Sequence, residues 1–500
     1  LQPLARPGLK RTSPITEQER IPLMHQLNEL DASFLFLESE TTPMHIGGLY
    51  VFDAAEREKA LTFDDFRDYL SQRLHLAGFF RQKLMHLPFN LDRPYWIDDP
   101  DFDINRHLES VNLAGGDYNA LLALAEERLA TPLPRTRPLW HVTWVEGFGP
   151  DTLLPADGFA LVVRVHHAAV DAFSGEEVMG MLLEYTPDTA TRARPPAWRP
   201  EPAPRPEQLL TRASLNLLRK PFQFMSLTQS TMTAALRDFM ERPFGRLRTT
   251  TTLLGAPRTP FNRNLTERRR LHSTSIDLAR LKTLKAAIGP DISLNDLVLG
   301  ICAEALKRYM AAHNIEADDS LVALTPVSVR SRSLRQPTGN QMSAMLVNLA
   351  TAEPDPARRV ALIRDNTRTS ENYREAIAAD RLTERLPSTL VALSTRLYSE
   401  FHLAQHYQPA FNLPITNVPG PQVPLYLRGA RLVHQVNSAP LFHGAGLAIL
   451  AQSYAGAVHV NITTCPDLVP DGEQLAELIE TAVEAIEASV LAGKGKSAID

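Results

Sequence analysis

Apolar and polar positions follow two different periods along this chain, and each period marks one kind of element. Trp140-His141-Val142-Thr143-Trp144-Val145 alternates as a half-buried strand does, and the β-branched, aromatic run 159–165 reads as another. Residues 43–52 read as a strand that contains the pair Gly47-Gly48, following the short apolar run 31–38. Helical spacing appears at 63–76, where Phe66, Tyr69, Leu70 and Leu74 share a face. A further helix is predicted after Ser174: Val178, Met181, Leu182 and Tyr185 recur at three- and four-residue steps, and Ser174 with Glu177 forms a capping-box pattern.

Beyond residue 187 the pattern breaks. Pro195, Pro196, Pro200, Pro202, Pro204 and Pro206 predict an extended, stiff linker rather than a packed element. A helical stretch at 207–240 follows, interrupted at Pro221. A second αβ block opens near Arg269, with helices predicted at 276–288, 295–309, 356–378, 382–406 and 473–491. Strands are predicted at 321–329 and 345–349 and over most of 412–463, where Gly and Pro punctuate the run. No repeat of 20 to 50 residues stands out, which disfavours a solenoid. The expected architecture is α/β, with an N-terminal domain at 21–187, a linker at 188–265 and a C-terminal domain at 266–500.

Length supports that division, because 500 residues exceed what one core ordinarily holds. Composition narrows the function classes. Hydrophobic residues at 44% and charged ones at 22% are those of a globular chain, and a net charge of -5 lacks the basic footprint of a nucleic-acid binder. Cys302 and Cys465 are the only cysteines; no CxxC or Cys/His ligand spacing occurs, so neither a metal nor a tightly bound cofactor is expected. No apolar run approaches a membrane span, and the first twenty residues have no apolar signal core. A cytoplasmic protein is the expectation. Gly495-Lys496-Ser497 lacks the earlier glycine of a phosphate loop and follows a helix, so it is set aside.

The candidate chemistry lies in His166-His167-Ala168-Ala169-Val170-Asp171, at the end of a predicted strand. Adjacent strand residues point to opposite faces, so the two imidazoles cannot easily share one metal ion. One of them can face a cavity as a general base while the other packs into structure and holds its neighbour. Asp171 falls in the following turn, where it can orient an imidazole or tie the turn to an arginine such as Arg330. A His-His pair at a strand end is also an ordinary structural feature, and the string alone does not decide.

The surrounding landmarks add to it. His-His-x-x-x-Asp followed by a small residue resembles the HHxxxDG signature of the bacterial wax ester synthase/diacylglycerol acyltransferase family. Leu30-Asp31-Ala32-Ser33-Phe34 through Thr42-Pro43-Met44-His45-Ile46-Gly47-Gly48 resembles that family's N-terminal signature, and Arg137-Pro138-Leu139-Trp140 its PLW motif. Leu294-Asn295-Asp296-Leu297, Pro326-Val327-Ser328-Val329-Arg330, Gly339-Asn340-Gln341 and Thr416-Asn417-Val418-Pro419-Gly420-Pro421 resemble later landmarks in the same order. The likeness runs from about Leu27 to the final helix and is weakest in the linker.

The resemblance implies two chloramphenicol-acetyltransferase-like αβ domains with mixed sheets and a substrate channel at their interface. It implies His167 as base, acyl-CoA as co-substrate, and a long-chain alcohol or diacylglycerol as acceptor, giving wax ester or triacylglycerol. The chemistry suits a histidine. A thioester is already activated, and an imidazole that takes the attacking hydroxyl's proton contributes roughly 10²–10⁴-fold without a covalent intermediate. Related readings are a carrier-protein-bound donor on the same fold, or a lipid-binding protein without catalysis. Pro138, Leu139 and Trp140 are candidates for lining the channel. Asn295 and Asp296 fit a helix N-terminus, with Asn295 also a candidate donor to the thioester oxyanion; Thr416 and Asn417 are a second candidate for that role. The chain departs from the signature at Ala172, where the family has Gly; a positive φ there costs alanine about 1 kcal/mol. Arg212, Arg219, Lys220 and Arg237 beside Phe222, Phe224, Met225 and Phe239 form a candidate surface for peripheral contact with a membrane or lipid droplet.

Overall fold

The structure is a computed structural model that describes residues 25–87, 92–170, 180–187, 198–204, 207, 255–328, 342–377 and 408–497. Asp171, Ala172, Ser174, Arg330, Gly339-Asn340-Gln341, the predicted helix 382–406 and the basic aromatic stretch of the linker lie outside the described residues.

The N-terminal half supplies β1 (His25–Gln26), α1 (Glu29–Leu37), β2 (His45–Asp53), α2 (Phe63–Ser71), β3 (Gln82–Met85), β4 (Tyr95–Asp98), β5 (Leu108–Gly116), α3 (Tyr118–Ala130), β6 (Trp140–Phe148) and β7 (Gly158–His166). The C-terminal half begins with β8 (Arg270–Asp277), α4 (Leu278–Ile288), α5 (Leu294–Ala312), β9 (Val322–Ser328), β10 (Met342–Asn348) and α6 (Pro356–Ile377). It ends with β11 (Leu413–Val418), β12 (Tyr426–Leu427), β13 (Ala430–Ser438), β14 (Leu447–Tyr454), β15 (Ala457–Thr464) and α7 (Gly472–Ser497).

Two six-stranded mixed sheets carry the fold, in the orders β12-β13-β2-β7-β6-β5 and β10-β9-β11-β14-β15-β8. The parallel pairs are β5 with β6, and β11 with both β9 and β14. The first sheet is covered on both sides. Phe52, Trp140, Trp144, Leu161 and Val163 pack toward α2, while Leu49, Val51, Val145, Ala160 and Val162 pack toward Leu121 and Ala125 of α3. Burial on both faces is why the β7 sequence reads as an unbroken apolar run instead of alternating. The second sheet packs Ile449, Val460 and Ile462 against Leu297 and Ile301 of α5 and Ile479 and Val483 of α7.

The sheets do not follow the sequence blocks throughout. Strands β12 and β13 come from the C-terminal half but extend the first sheet, with β13 antiparallel to β2 from Arg431↔Asp53 to Ser438↔Gly47. Side chains then tie this crossover to the second sheet: Tyr50 Oη donates to Asn437 Oδ1 (2.8 Å), and Asn437 Nδ2 to Gln452 Oε1 (2.7 Å). Further contacts join the halves. Glu126 of α3 accepts from Leu271 N (2.9 Å) and pairs with Arg270, and Arg269 donates to Thr41 O.

Two local expectations change, and one run left unassigned takes a definite form. The apolar run 31–38 is helical, begun by an Asn28 cap that accepts from Asp31 N. Residues 276–277 end a strand, and the helix begins only after Asp277 caps it. The described linker residues 198–204 have neither helix nor strand, as proline predicts, yet they are packed. Arg81 lies over the Trp198 ring at 4.9 Å, Trp198 meets Phe102 edge-on, and Glu201 N donates to Asp98 Oδ2. Among the described residues no helix is long and apolar enough to cross a membrane, and no group of three His, Cys, Asp or Glu could hold a metal ion.

Candidate active site

The site is built where β7 ends. His166 is its last residue, in register with His45 on β2, so the two imidazoles stand on the same face of the sheet. His167 leaves the strand into a single 3-10 turn, residues 167–169, and the two histidines part. His166 caps that turn: its Nδ1 accepts from Ala168 N at 3.0 Å. An acceptor Nδ1 means that the neutral ring carries its proton on Nε2. That Nε2 faces Glu38 Oε1 at 3.4 Å, and His166 is fully buried.

Glu38 follows the last residue of α1, and its side chain is 5% exposed. Its carboxylate gathers the neighbourhood. Oε1 accepts from Met44 N at 3.2 Å and lies 3.7 Å from His45 Nε2, while Oε2 accepts from Arg135 Nε at 2.9 Å. Burial alone pushes the carboxyl up, but His166, Arg135 and His45 together bring it down to about 2, so it is ionised. His45 Nε2 accepts from Leu133 N at 3.2 Å, and burial pushes its pKa down to about 3, reinforced by His166 and Arg164. Its Nε2 therefore cannot donate to Glu38. Of this pair of histidines, it is His166 whose Nε2 is left to face the carboxylate.

His167 has a different environment. Its main-chain N–H donates to Met44 O at 2.8 Å, and its ring stacks on Phe34 of α1 with centroids 3.8 Å apart and planes 17° from parallel. Although the residue keeps part of its surface, Nδ1 is sealed off and has no hydrogen-bond partner in another residue among those described. Burial pushes the pKa down to about 4, His166 adds to this, and the residue's own carbonyl oxygen opposes it. The ring is thus neutral at pH 7, and with Nδ1 enclosed, Nε2 is the nitrogen left to meet a substrate.

The remaining sequence candidates separate. Leu139 and Trp140 belong to the core rather than an open channel wall, because their polar and apolar surfaces are already engaged. Trp140 stacks on His107 at 4.5 Å, meets Phe80 edge-on and donates Nε1–H to Phe80 O, while Leu139 O accepts from His166 N at 2.9 Å. Pro138 is buried beside them, its carbonyl accepting from Trp140 N. The cap of α5 is Ser293, with Asp296 completing the box, so Asn295 is free of capping. Asn417 Nδ2 reaches Asn295 Oδ1 at 3.5 Å, which turns the Asn295 amide nitrogen away as an available donor. Thr416 cannot share that position. As neighbours on β11, Thr416 and Asn417 face opposite sides, Thr416 with Leu450 and Gln452 and Asn417 with Ile415 and α5. No described contact joins Asn295, Thr416 or Asn417 to either histidine of the pair.

In the sequence, His45 stands inside a longer motif with no role of its own, and Glu38 and Arg135 belong to no motif. Their signal was weak: a lone Glu after an apolar run gives no hint that folding will place it under a histidine far along the chain.

Comparison with known proteins identifies the family. The wax ester synthase/diacylglycerol acyltransferase catalytic domain matches residues 27–298, and the C-terminal domain of the same family matches residues 338–487. The chain is 31% identical over 487 residues to the putative diacylglycerol O-acyltransferase MT1809 of Mycobacterium tuberculosis, covering 93% of this chain and 92% of that one. It is 25% identical to the wax ester synthase/diacylglycerol acyltransferase of Marinobacter aquaeolei VT8, with a TM-score of 0.63 over 93% of this chain and 99% of the other. A trichothecene 15-O-acetyltransferase from Fusarium sporotrichioides shares the fold at 12% identity, with a TM-score of 0.58 over 93% of this chain and 95% of that one. The two mixed sheets are those of the two-domain, chloramphenicol-acetyltransferase-like fold. The chain belongs to the wax ester synthase/diacylglycerol acyltransferase family and is an acyltransferase.

Proposed function

We propose that this protein transfers a fatty acyl group from acyl-CoA to the hydroxyl of a long-chain alcohol or a diacylglycerol, with His167 as general base. The observation that carries the reading is the state of His167: neutral at pH 7, with Nδ1 enclosed and Nε2 the nitrogen left to act as base. As the acceptor oxygen attacks the thioester carbonyl, Nε2 takes the hydroxyl proton. When the C–S bond breaks, the same proton passes to the leaving sulfur, giving the ester and free CoA. The base is restored each turn. Asn295 supplies its amide nitrogen as the donor to the carbonyl oxygen as negative charge grows there. His166 and Glu38 touch no reacting atom in this scheme; they hold the turn that aims the base. Acyl-CoA serves as co-substrate, and the reading assigns no further cofactor. Acceptors and products insoluble in water favour a cytoplasmic enzyme that touches a membrane or lipid droplet peripherally.

Thiol release with palmitoyl-CoA and hexadecanol, and in parallel with dipalmitoylglycerol, tests the assignment. His167→Ala is expected to lower the rate by at least roughly 10²-fold, and His166→Ala to lower it partially. Equal rates in wild type and His167→Ala would remove His167 from the chemistry. Release only with an acyl-loaded carrier protein would replace the donor and keep the base.

A further inference from the structure

The middle of the second sheet contains an opening. Strands β9 and β11 pair in parallel at two positions only, Leu413↔Ala323 and Pro414↔Leu324. Both strands then continue. β11 stays bound on its other side to β14 as far as Val418↔Gln452, and β9 to β10 as far as Ser328↔Met342. Two parallel neighbours therefore part while each keeps its outer partner. Proline marks the place: Pro414 and Pro326 bring no N–H to a ladder between the strands. Among the described residues, no strand on the facing side pairs the main-chain groups of 416–418 and 326–328, over about 10 Å at 3.3 Å per residue.

One side chain at this opening is unaccounted for. Thr325 is the last β9 residue before Pro326 and 3% exposed, and its Oγ1 has no hydrogen-bond partner among the described residues. It pairs across with Met345 of the core, so its hydroxyl lies on the side of the sheet that faces α5. Asn417 is on that same side, against Asn295 in the first turn of α5. A buried hydroxyl without a partner is unfavourable, and a threonine kept there calls for an acceptor that arrives with a ligand.

We propose that this opening holds the pantetheine arm of the acyl donor, with Thr325 donating its hydroxyl to one of the arm's amide carbonyls. The inference rests on acyl-CoA being the donor. Parted strand edges present both N–H and C=O groups, and an extended chain with two amides offers both in return, as an added strand does. An alkyl tail offers neither, and a glyceride ester only accepts. The Pro326-Val327-Ser328 landmark then belongs to donor binding rather than to the chemistry.

The test compares three donors with one acyl chain on the full-length protein: palmitoyl-CoA, palmitoyl-pantetheine and the palmitoyl thioester of octanethiol, which has no amide. Thr325→Val is expected to raise KM about tenfold for the two amide-bearing donors and to leave the octanethiol donor and kcat unchanged within twofold. The same variant is expected to melt at or above the wild-type temperature, because valine removes an unpaired buried hydroxyl. Thr325→Ser is expected to restore KM. An unchanged KM for all donors, or an equal rise for all three, overturns the proposal while leaving the acyltransferase reading intact. Absence of thiol release from every thioester in wild type overturns the donor assignment and this inference with it.

Discussion

At the scale of single residues, Glu38 reaches the base through the main chain. Its Oε1 fixes Met44 N, and Met44 O in turn holds His167 N. The carboxylate is also the counter-charge for Arg135 and faces His166 Nε2 at 3.4 Å. Glu38→Gln removes that charge from a closed site and leaves buried partners unmatched, which costs about 3–5 kcal/mol where a buried pair is broken. Urea unfolding is expected to show a loss of this size, with kcat lowered more than KM is raised. A variant as stable and as active as wild type would make Glu38 incidental. The pH profile gives a second check. His167 must be neutral to act, and its pKa is lowered to about 4, so kcat/KM should stay level from pH 7 down to about 5 and fall below about 4. An acid limb centred near 6.5, the ordinary histidine value, would contradict the buried, stacked ring. The His-His-x-x-x-Asp string was legible because its chemistry is local in sequence. Glu38 and His45 were not, because only the β2–β7 register and the α1 terminus bring them to His166.

At the scale of elements, α1 is the part that sequence patterning left open and the site depends on. It has nine residues, too few to persist alone in water, and it forms because it packs on the turn after β7. Phe34 makes that contact with a flat face. Phe34→Leu keeps an apolar side chain of similar volume and loses the stacked ring. Stability is expected to change by less than about 1.5 kcal/mol, while kcat falls severalfold as the imidazole loses its fixed plane; a kcat within twofold of wild type would show the stacking to be idle. Long, uniform elements such as α2, α5, α7 and β7 could be predicted because capping residues and period agree there, as with Thr62 and Asp65 at α2. Strand β5 was missed because its polar positions Glu109, Ser110 and Asn112 interrupt the apolar rhythm at the sheet edge. Helix α3 was missed despite its Asp117 cap, because its apolar residues Leu121, Leu122, Leu124 and Ala125 spread around the helix and give little amphipathic contrast.

At the scale of the whole molecule, the two halves share strands and side-chain ties, so acid should act on them together. Burial holds His45 down to about 3 and His141, His167 and His434 down to about 4, each below the ordinary 6.5. As pH falls through 6.5 the unfolded chain takes up protons that the folded chain refuses. The histidine contribution is therefore fully present above about 6.5 and is lost progressively as pH falls toward 4. Glu38, held at about 2 against 4.5, adds a second loss between those two values. The histidines are spread over the fold: His45 and His167 at the candidate site, His141 on β6, and His434 on the crossover strand β13, where Tyr118 of α3 meets its Nε2 at 3.0 Å. Because β13 completes the first sheet and is tied through Asn437 to the second, loss of the His434 contact loosens a strand that both halves need. Urea midpoints measured from pH 7.5 to 4 are expected to fall steadily below 6.5, with tryptophan fluorescence and circular dichroism moving in one transition. Trp140 and Trp144 lie in the first sheet and α5 and α7 cover the second, so the two signals report on different halves. A flat midpoint across that range would remove the buried histidines as the acid-sensitive groups, and two separated transitions would show that the crossover does not couple the sheets.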